Sequence, residues 1–344
     1  MKPLLLAFTF FSCSCSTLRF YSQAASGQIQ MLSRARPVGQ LLADPKVKPH
    51  LKQKLTTVAD ILHFAETTLQ LPAKGQYCGY TDLRRAHAVW VVFAAPEFST
   101  QPKKWRYPLV GQLAYRGFFK AAEAQQEAAK LQAQGYDVFV AGVDAYSTLG
   151  FFRDPLLSTF IGRDDADLAE LIFHELTHQR LYLQGDTHFN EAYATASGQE
   201  GARRWLHARG RLKELSQYER ELKAERDFTT LALQTRAELE ALYQSQPTTL
   251  NSEQRQQQKA GVFARFHQRA ISQDHRKTSS MQIDRWFKKP VNNARLASLS
   301  AYYDLVPGFE VLLKQQSGDL EKFHAQVLSM KSLTPIERQQ KLGK

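Results

Sequence analysis

The strongest constraint on this chain is a pair of histidines four positions apart, His174 and His178, with Glu175 directly after the first. On a helix, residues at this spacing share one face, so both imidazoles can bind the same metal ion. Zinc hydrolases use such a pair, together with a neighbouring glutamate that takes a proton from the metal-bound water. The motif therefore predicts a metal centre with Glu175 as general base. The competing interpretation is two structural histidines with Glu175 on a solvated face.

The sequence around the pair predicts a helix. Asp164 or Asp165 suits the N-cap, because side-chain oxygens and negative charge are favoured at a helix N-terminus. Apolar residues then recur at roughly helical spacing and form a face that a core can cover: Leu168, Leu171, Ile172, Leu176 and Leu183. The helix is expected to stop at Gly185. After a short connection over residues 187–189, a second helix is expected over residues 190–206.

A tetrahedral catalytic zinc site needs a third protein ligand and keeps one position for water. Glu191 is the preferred ligand, because it follows His178 by 13 positions and a hairpin of two helices would return its carboxylate to the metal. His188 is the alternative, although it is expected in the connection. The metzincin continuation is absent, since Leu181 and Gln184 replace its glycine and third histidine. The expected ligand set is His2Glu with one Zn²⁺ ion.

Two blocks of sequence around these ligands, residues 173–179 and 189–194, resemble the putative bacterial aminopeptidases of the gluzincin type, a family that includes many lipoproteins. The resemblance continues along nearly the whole chain in short blocks at residues 15–18, 32–37, 146–150, 154–158, 292–294 and 305–307. It implies hydrolysis of peptide bonds.

The resemblance also implies roles for individual residues. It assigns His174, His178 and Glu191 to the metal and Glu175 to acid–base chemistry, in agreement with the spacing. Thermolysin-like enzymes carry an Asp four positions after the third ligand, which supports a zinc histidine, and this chain has Thr195 there. The outer-shell partner of the ligands is therefore left open.

Residues 1–14 have the pattern of an export signal of the lipoprotein type. Lys2 supplies a short positive start, residues 4–11 are apolar, and small residues follow. This apolar stretch is too short to span a bilayer as a helix, so a removed signal is expected. Cys15 is the expected lipidation site, preferred to Cys13 because of the Cys-Ser-x-Leu that begins there, although no leucine stands three places before it. The alternative is a buried apolar N-terminal segment.

Charge and cysteine content agree with export to the periplasmic face of a bacterial membrane. Of the three cysteines, only Cys78 lies outside the N-terminal segment, so no internal disulfide is expected. The formal charge of +12 favours an anionic membrane surface as partner. Basic residues are spread along the chain without a nucleic-acid motif, so nucleic acid is not expected as a partner. The sequence gives no indication of oligomeric state.

The overall pattern predicts a predominantly helical α+β fold, with a small mixed sheet packed beside the metal-site helix, a long helical hairpin and C-terminal helices. Helices are expected over residues 22–71, with interruptions at prolines 37, 45 and 49, and over residues 119–134. Strands are expected at residues 88–94, 109–115 and 136–143. Two long charged helices are expected between residues 210 and 277.

These elements suggest one catalytic unit over residues 15–344, made of consecutive segments. The segments are a signal peptide (1–14), an N-terminal helical segment (15–85), a β-rich subdomain (86–163), the zinc-site helix pair (164–206), the charged hairpin (207–290) and C-terminal helices (291–344). The hairpin is expected to be a scaffold or lid arm with a solvated face.

Further candidate residues would contact the substrate. A phenol commonly steadies the oxyanion in metallopeptidases, so Tyr193, Tyr302 or Tyr303 could serve, although core packing explains the last two better. The residues at 145–148, including Tyr146 and Ser147, could form the sheet edge that pairs with substrate backbone. Ordinary turn residues are an equal alternative there.

The preferred function from sequence is that of a zinc aminopeptidase acting on peptides in the cell envelope. An endopeptidase of exported proteins is an alternative, since no acidic group that would bind a substrate's α-ammonium can be assigned. A non-enzymatic envelope lipoprotein with a structural zinc is a second alternative. Four protein ligands would favour a structural zinc, whereas three with an open position would favour catalysis.

Overall fold

The computed structural model describes residues 15–107, 111–145, 153–245, 247, 249–272 and 286–343. Helices dominate this part of the chain, which confirms the predicted α+β class. The helices are α1 (Cys15–Ser33), α2 (Val38–Ala43), α3 (Pro49–Thr67), α4 (Ala121–Ala133), α5 (Asp165–Arg180), α6 (Thr187–Ala208), α7 (Leu212–Ser245), α8 (Ser252–Ser272), α9 (Asn293–Tyr303), α10 (Val306–Gln315), α11 (Leu320–Ser329) and α12 (Pro335–Lys341).

The strands form three small sheets within the described residues. They are β1 (Arg36–Pro37), β2 (Gly79–Thr81), β3 (Val89–Pro96), β4 (Trp105–Tyr107), β5 (Gly111–Leu113), β6 (Tyr115–Phe118), β7 (Tyr136–Val143) and β8 (Leu156–Leu157). The sheet β1-β2-β8 is mixed, because β2 pairs antiparallel with β1 and parallel with β8. The sheet β6-β3-β7 is antiparallel, and β4 and β5 form a separate antiparallel pair.

The predicted strand at residues 109–115 is wrong as one element. Residues 109 and 110 lie outside the described part of the chain, and the remainder is divided between β5 and the start of β6. Gly111 has a φ of +81°, and a Cβ there would lie 2.7 Å from the backbone nitrogen of Gly185. This glycine lets the end of the β4–β5 pair approach the connection between α5 and α6, which a continuous strand would not do.

The antiparallel sheet is covered on both faces because its side chains alternate in direction. Val92 and Ala94 of β3 pack with Phe20 of α1 and with Ala124 and Leu131 of α4. The opposite face packs against α9, and that cluster contains Val89, Val91, Phe93, Ala95 and Ala294. The sheet is thereby held between α1 and α4 on one side and α9 on the other.

The largest core cluster lies under α5 and α6 and fixes the metal-site helices. It joins these two helices to α3, α10 and α11. Among its fully buried side chains are Phe173, Phe189, Trp205, Phe309 and Phe323. Burial of aromatic side chains of this size stabilises a fold by about 1.5–3 kcal/mol each, so α5 and α6 are rigid elements.

The two long charged helices are confirmed as α7 and α8, and they have a core of their own. Leu231, Leu239, Val262 and Phe266 pack with Leu296 of α9. Lys259 of α8 is buried, and its Nζ contacts Asp137 Oδ2 at 2.7 Å and Glu97 O at 2.8 Å. The pair is therefore docked on the end of the antiparallel sheet.

Every helix in the described part of the chain is too short or too polar to cross a membrane.

Candidate metal centre

Helix α5 carries both histidines on one buried face. Their Nε2 atoms are 3.1 Å apart, and the two rings are nearly perpendicular, at 86°. The predicted start of this helix is confirmed, with Asp164 at the N-cap position, but the Asp164 side chain makes no capping hydrogen bond. The helix ends at Arg180, earlier than predicted, and Leu183 lies in the connection that follows.

Helix α6 brings Glu191 to the two histidines. Glu191 Oε2 lies 3.4 Å from His174 Nε2 and 3.5 Å from His178 Nε2. Helix α6 begins at Thr187 rather than Asn190, because Asp186 accepts a hydrogen bond from the Phe189 amide and caps it. The glutamate therefore lies in the second turn of a preformed helix.

Polar contacts fix the connection that sets the position of Glu191. Asn190 Oδ1 accepts from the Leu183 amide and Asn190 Nδ2 donates to the Leu183 carbonyl, both at 2.8 Å. Arg338 of α12 forms a buried ion pair with Asp186, with Nη2 2.7 Å from Oδ2. Sequence reasoning missed these positioning residues, since Arg338 is far from Asp186 in the chain.

A small residue allows α5 and α6 to pack closely beside the site. A Cβ on Gly198 would lie 2.8 Å from the Glu170 carbonyl oxygen and 3.3 Å from His174 Cβ. Any side chain at this position would push α6 away from α5. The distance between Glu191 and the histidines depends on that contact.

The three donor atoms fit a tetrahedral metal ion. With zinc–ligand bonds of about 2.0–2.2 Å, neighbouring ligands of a tetrahedron lie roughly 3.3–3.5 Å apart. The observed separations are 3.1, 3.4 and 3.5 Å. Within the described residues this is the only group of three or more His, Cys, Asp or Glu side chains that could hold a metal ion. Three protein ligands leave one tetrahedral position for water or substrate.

The surroundings of the site shift the pKa values of its two glutamates in opposite directions. Burial raises the pKa of Glu175, and the neighbouring imidazoles offset this only in part. Burial would also raise the pKa of Glu191, but His178 and His174 more than compensate and lower that pKa to about 2. Glu191 is therefore anionic at neutral pH, as a candidate metal ligand must be, while Glu175 is closer to exchanging a proton.

Comparison with known proteins gives one match. The family model described as "Putative aminopeptidase" matches residues 19–342. The chain belongs to this family. Among curated proteins and among solved structures, none matches the chain. Membership of the putative aminopeptidase family supports peptide hydrolysis in general and extends over both metal-site helices.

The tyrosines suggested by the sequence lie in three different environments in this aminopeptidase-family chain. The Tyr193 hydroxyl is hydrogen-bonded to His324 Nδ1 at 2.6 Å, and its ring packs against Phe309 and Phe323 in the core. Tyr303 donates to Glu225 Oε1 at 2.7 Å. The pKa of Tyr302 is raised well above its usual value by burial and then by the charges of Glu191 and Glu175, so Tyr302 lies within electrostatic range of both carboxylates.

Two tyrosines that sequence reasoning missed also border the site. Burial, then Glu191 and other groups around it, raises the pKa of Tyr115 on β6. Burial and Glu191 raise the pKa of Tyr182 to about 12. The Tyr182 ring is 6.3 Å from that of His178, and its position four residues after His178 was an available signal. Tyr115 gave no such signal, because the sheet brings it from a distant part of the chain.

The remaining candidates are placed as follows. His188 lies on α6, not in a connection, and is outside the ligand group. Thr195 is buried, but His178 Nδ1 has no hydrogen-bond partner among the described residues, so Thr195 does not support that ring. Tyr146 and Ser147 lie outside the described residues. Cys15 is the first residue of α1.

Proposed function

We propose that this protein hydrolyses peptide bonds at a zinc centre held by His174, His178 and Glu191, with Glu175 as general base. The observation that carries the proposal is the convergence of three metal-binding atoms beside a buried carboxylate. Membership of the aminopeptidase family supports the reaction class. Removal of the N-terminal residue of a peptide is the preferred form of the activity.

The residues divide the chemistry between them. A zinc ion bound here would supply Lewis acidity, lowering the pKa of its water and polarising the scissile carbonyl. Glu175 accepts a proton from the attacking water and delivers it to the departing amine. Tyr302, Tyr115 and Tyr182 stay protonated, since the pKa of each hydroxyl is raised, so each can donate a hydrogen bond to the carbonyl oxygen. Of the three, Tyr302 and Tyr115 are preferred to Tyr182, because Glu191 and Glu175 both raise the pKa of each.

The ligand count favours catalysis over a purely structural metal. A structural zinc site usually has four protein ligands, whereas the described residues contribute three. A structural zinc in a non-enzymatic lipoprotein is therefore the weaker candidate. Endopeptidase action on exported proteins is distinguished from aminopeptidase action by the substrate and not by the metal site.

The proposed place of action is the periplasmic face of a bacterial membrane. The export-signal pattern of residues 1–14, the candidate lipidation site Cys15 and the formal charge of +12 support a protein held at an anionic membrane surface. Peptides in the cell envelope would then be its substrates.

The test is hydrolysis of aminoacyl-naphthylamides by the purified protein, before and after chelation, with parallel measurement of bound zinc. Glu175→Gln should keep one zinc ion per chain and lower kcat by about 10²–10⁴-fold, because only the proton acceptor is lost. Glu219→Gln, an exposed change on α7, serves as the matched control.

Hydrolysis by the Glu175→Gln variant at the parent rate would show that the base is wrong. A free peptide and its N-acetylated form separate the two modes of action. An aminopeptidase cleaves only the free form, whereas an endopeptidase cleaves both.

A further inference from the structure

A recess lies between α7 and the junction of α9 and α10, and Gln199 of α6 also lines it. Its volume is about 380 Å³, and apolar atoms dominate its walls. Leu222 and Leu233 of α7 and Val306 of α10 supply apolar side chains. A volume of this size accommodates a small organic molecule. None of its lining residues belongs to the metal centre.

The recess contains a carboxylate that no cation neutralises. Glu225 of α7 accepts a hydrogen bond from the Tyr303 hydroxyl at 2.7 Å. No ion pair among the described residues includes Glu225, whereas the neighbouring Arg226 is paired with Glu310 at 3.3 Å. The Glu225 side chain remains accessible from the recess. Glu225 is therefore a local negative charge in a chain whose formal charge is +12.

A hydroxyl lies one helical turn from that carboxylate. Thr229 lines the recess and is only 4% exposed. Residues four apart share one face of a helix, so Glu225 and Thr229 face the same recess. The Thr229 hydroxyl can accept a hydrogen bond from a donor bound beside Glu225.

We propose that this recess binds an organic ammonium ion with an apolar body. The ammonium group would form an ion pair with Glu225 and donate a hydrogen bond to the Thr229 hydroxyl. The apolar body would pack against Leu222, Leu233 and Val306, so neither a metal ion nor a neutral molecule would satisfy the whole site.

The unfavourable surroundings of the ionised Glu225 side chain support the proposed ammonium site. The protein around the recess raises the pKa of the Glu225 carboxyl through loss of hydration, and Asp167 adds to the effect, while the Tyr303 hydroxyl offsets part of it. The raised pKa means that the carboxylate lacks a compensating charge. An ammonium ion would supply that charge.

The test is calorimetric titration of the full chain with phenethylammonium, and with 2-phenylethanol as the neutral analogue. A chelator is present throughout, so that the amine cannot bind at the metal centre. We expect the ammonium to bind at least about tenfold more tightly than the alcohol. We expect Glu225→Gln to abolish that preference and Thr229→Val to weaken ammonium binding severalfold.

The control is Glu219→Gln, which removes an exposed carboxylate from the same helix outside the recess and should leave binding unchanged. Leu233→Trp should block binding by filling the recess while keeping Glu225, so the proposal remains testable if the Glu225→Gln variant does not fold. Equal affinity for amine and alcohol, no binding at about 10 mM amine, or full binding by both the Glu225→Gln and the Leu233→Trp variants would overturn the proposal. Peptide hydrolysis takes no part in this measurement, so its outcome is independent of the proposed function.

Discussion

At the scale of single residues, the two ring nitrogens of His178 lie in different surroundings. Its Nε2 lies with His174 and Glu191 in the ligand group, whereas its buried Nδ1 has no hydrogen-bond partner among the described residues. Metal-binding histidines usually donate their second N–H to an acceptor that fixes the ring. Here the tight packing of α5 against α6 must orient the ring instead. Packing around the buried His178 and Glu191 therefore fixes the ring orientation that a second hydrogen bond would otherwise fix.

The third ligand can be tested by comparing its two candidates. Glu191→Gln should lower zinc affinity by at least about 10–100-fold, because the anionic ligand is lost from a group with two neutral imidazoles. His188→Ala should leave zinc affinity unchanged, since His188 lies outside the group. Zinc content after dialysis against buffered chelator measures both. Loss of zinc from the His188→Ala variant with retention by the Glu191→Gln variant would reverse the assignment.

At the scale of elements, the α5–α6 hairpin is set by close packing and by polar contacts at its ends. Gly198 has no side chain, whereas a larger residue at this position would separate the helices. Asn190 holds the connection through its two bonds to Leu183, and Arg338 pairs with Asp186. At the other end, Asp165 forms two ion pairs. Its Oδ1 lies 2.6 Å from Lys54 Nζ of α3, and its Oδ2 lies 2.9 Å from Arg211 Nη2. The metal geometry therefore depends on groups well outside the ligand set.

Gly198→Ala should lower the free energy of unfolding by about 1–3 kcal/mol, because its Cβ would lie 2.8 Å from a backbone oxygen of α5. Zinc affinity should fall as well, since the helices must move apart. Gly39→Ala, also in a helix, is the control, because no atom lies within 4 Å of its Cβ. Urea unfolding and zinc titration measure the two effects. Equal stability of the two variants would contradict the close-packing account.

Asp165 provides a prediction on pH. Burial would raise its pKa, but the hydrogen bonds from Lys54 and Arg211 prevail and lower it from 3.8. A lowered pKa in the folded state stabilises the fold above the unfolded value, and this stabilisation is lost as the pH falls through the folded value. Asp165→Asn should therefore cost about 1–2 kcal/mol at pH 7 and progressively less below about pH 4.

Urea unfolding of the Asp165→Asn variant at about pH 7, 5 and 3.5 measures this difference. Asp167→Asn is the control two positions away. Burial raises the pKa of Asp167, so that change should not produce the same loss at neutral pH. A cost of the Asp165→Asn change that does not depend on pH would rule out the ion pairs as its cause.

At the scale of the whole molecule, one large core and three smaller clusters hold the described chain together without a disulfide. Cys78 is exposed and has a free thiol. The large core joins α3, α5 and α6 to α10 and α11, so helices from both ends of the chain contact the metal-site pair. The proposed attachment to a membrane rests on separate features, namely the pattern of residues 1–15 and the formal charge of +12.

Cys15→Ser should abolish incorporation of radiolabelled palmitate in bacteria that express the full chain, because the acceptor thiol is lost. Cys13→Ser should still be labelled and is the matched control two residues away. The Cys15→Ser variant should also leave the membrane fraction when salt is raised above about 0.3 M, since only screened charge attraction remains. Labelling of the Cys15→Ser variant and loss of label from the Cys13→Ser variant would move the anchor to Cys13.

The sequence determined most of what is local in this protein. The spacing of His174 and His178 requires a shared helical face, and the 13 residues to Glu191 suit a helical hairpin. Long helices and the strands Val89–Pro96 and Tyr136–Val143 follow from residue patterns of short range. The division of residues 111–118 between two sheets did not, because it depends on contact between Gly111 and the distant Gly185.

Only the tertiary structure decided which distant side chains meet. Tyr115 and Tyr302 come within electrostatic range of Glu191 and Glu175 because the sheet and α9 pack together, and Arg338 reaches Asp186 from 152 positions away. The recess with Glu225 and Thr229 exists because α7 crosses the α9–α10 junction. Local spacing fixes directions within one helix, whereas the meeting of separate elements results from the packing of the whole core. For that reason the sequence could predict that His174, His178 and Glu191 come together, and could not predict their surroundings.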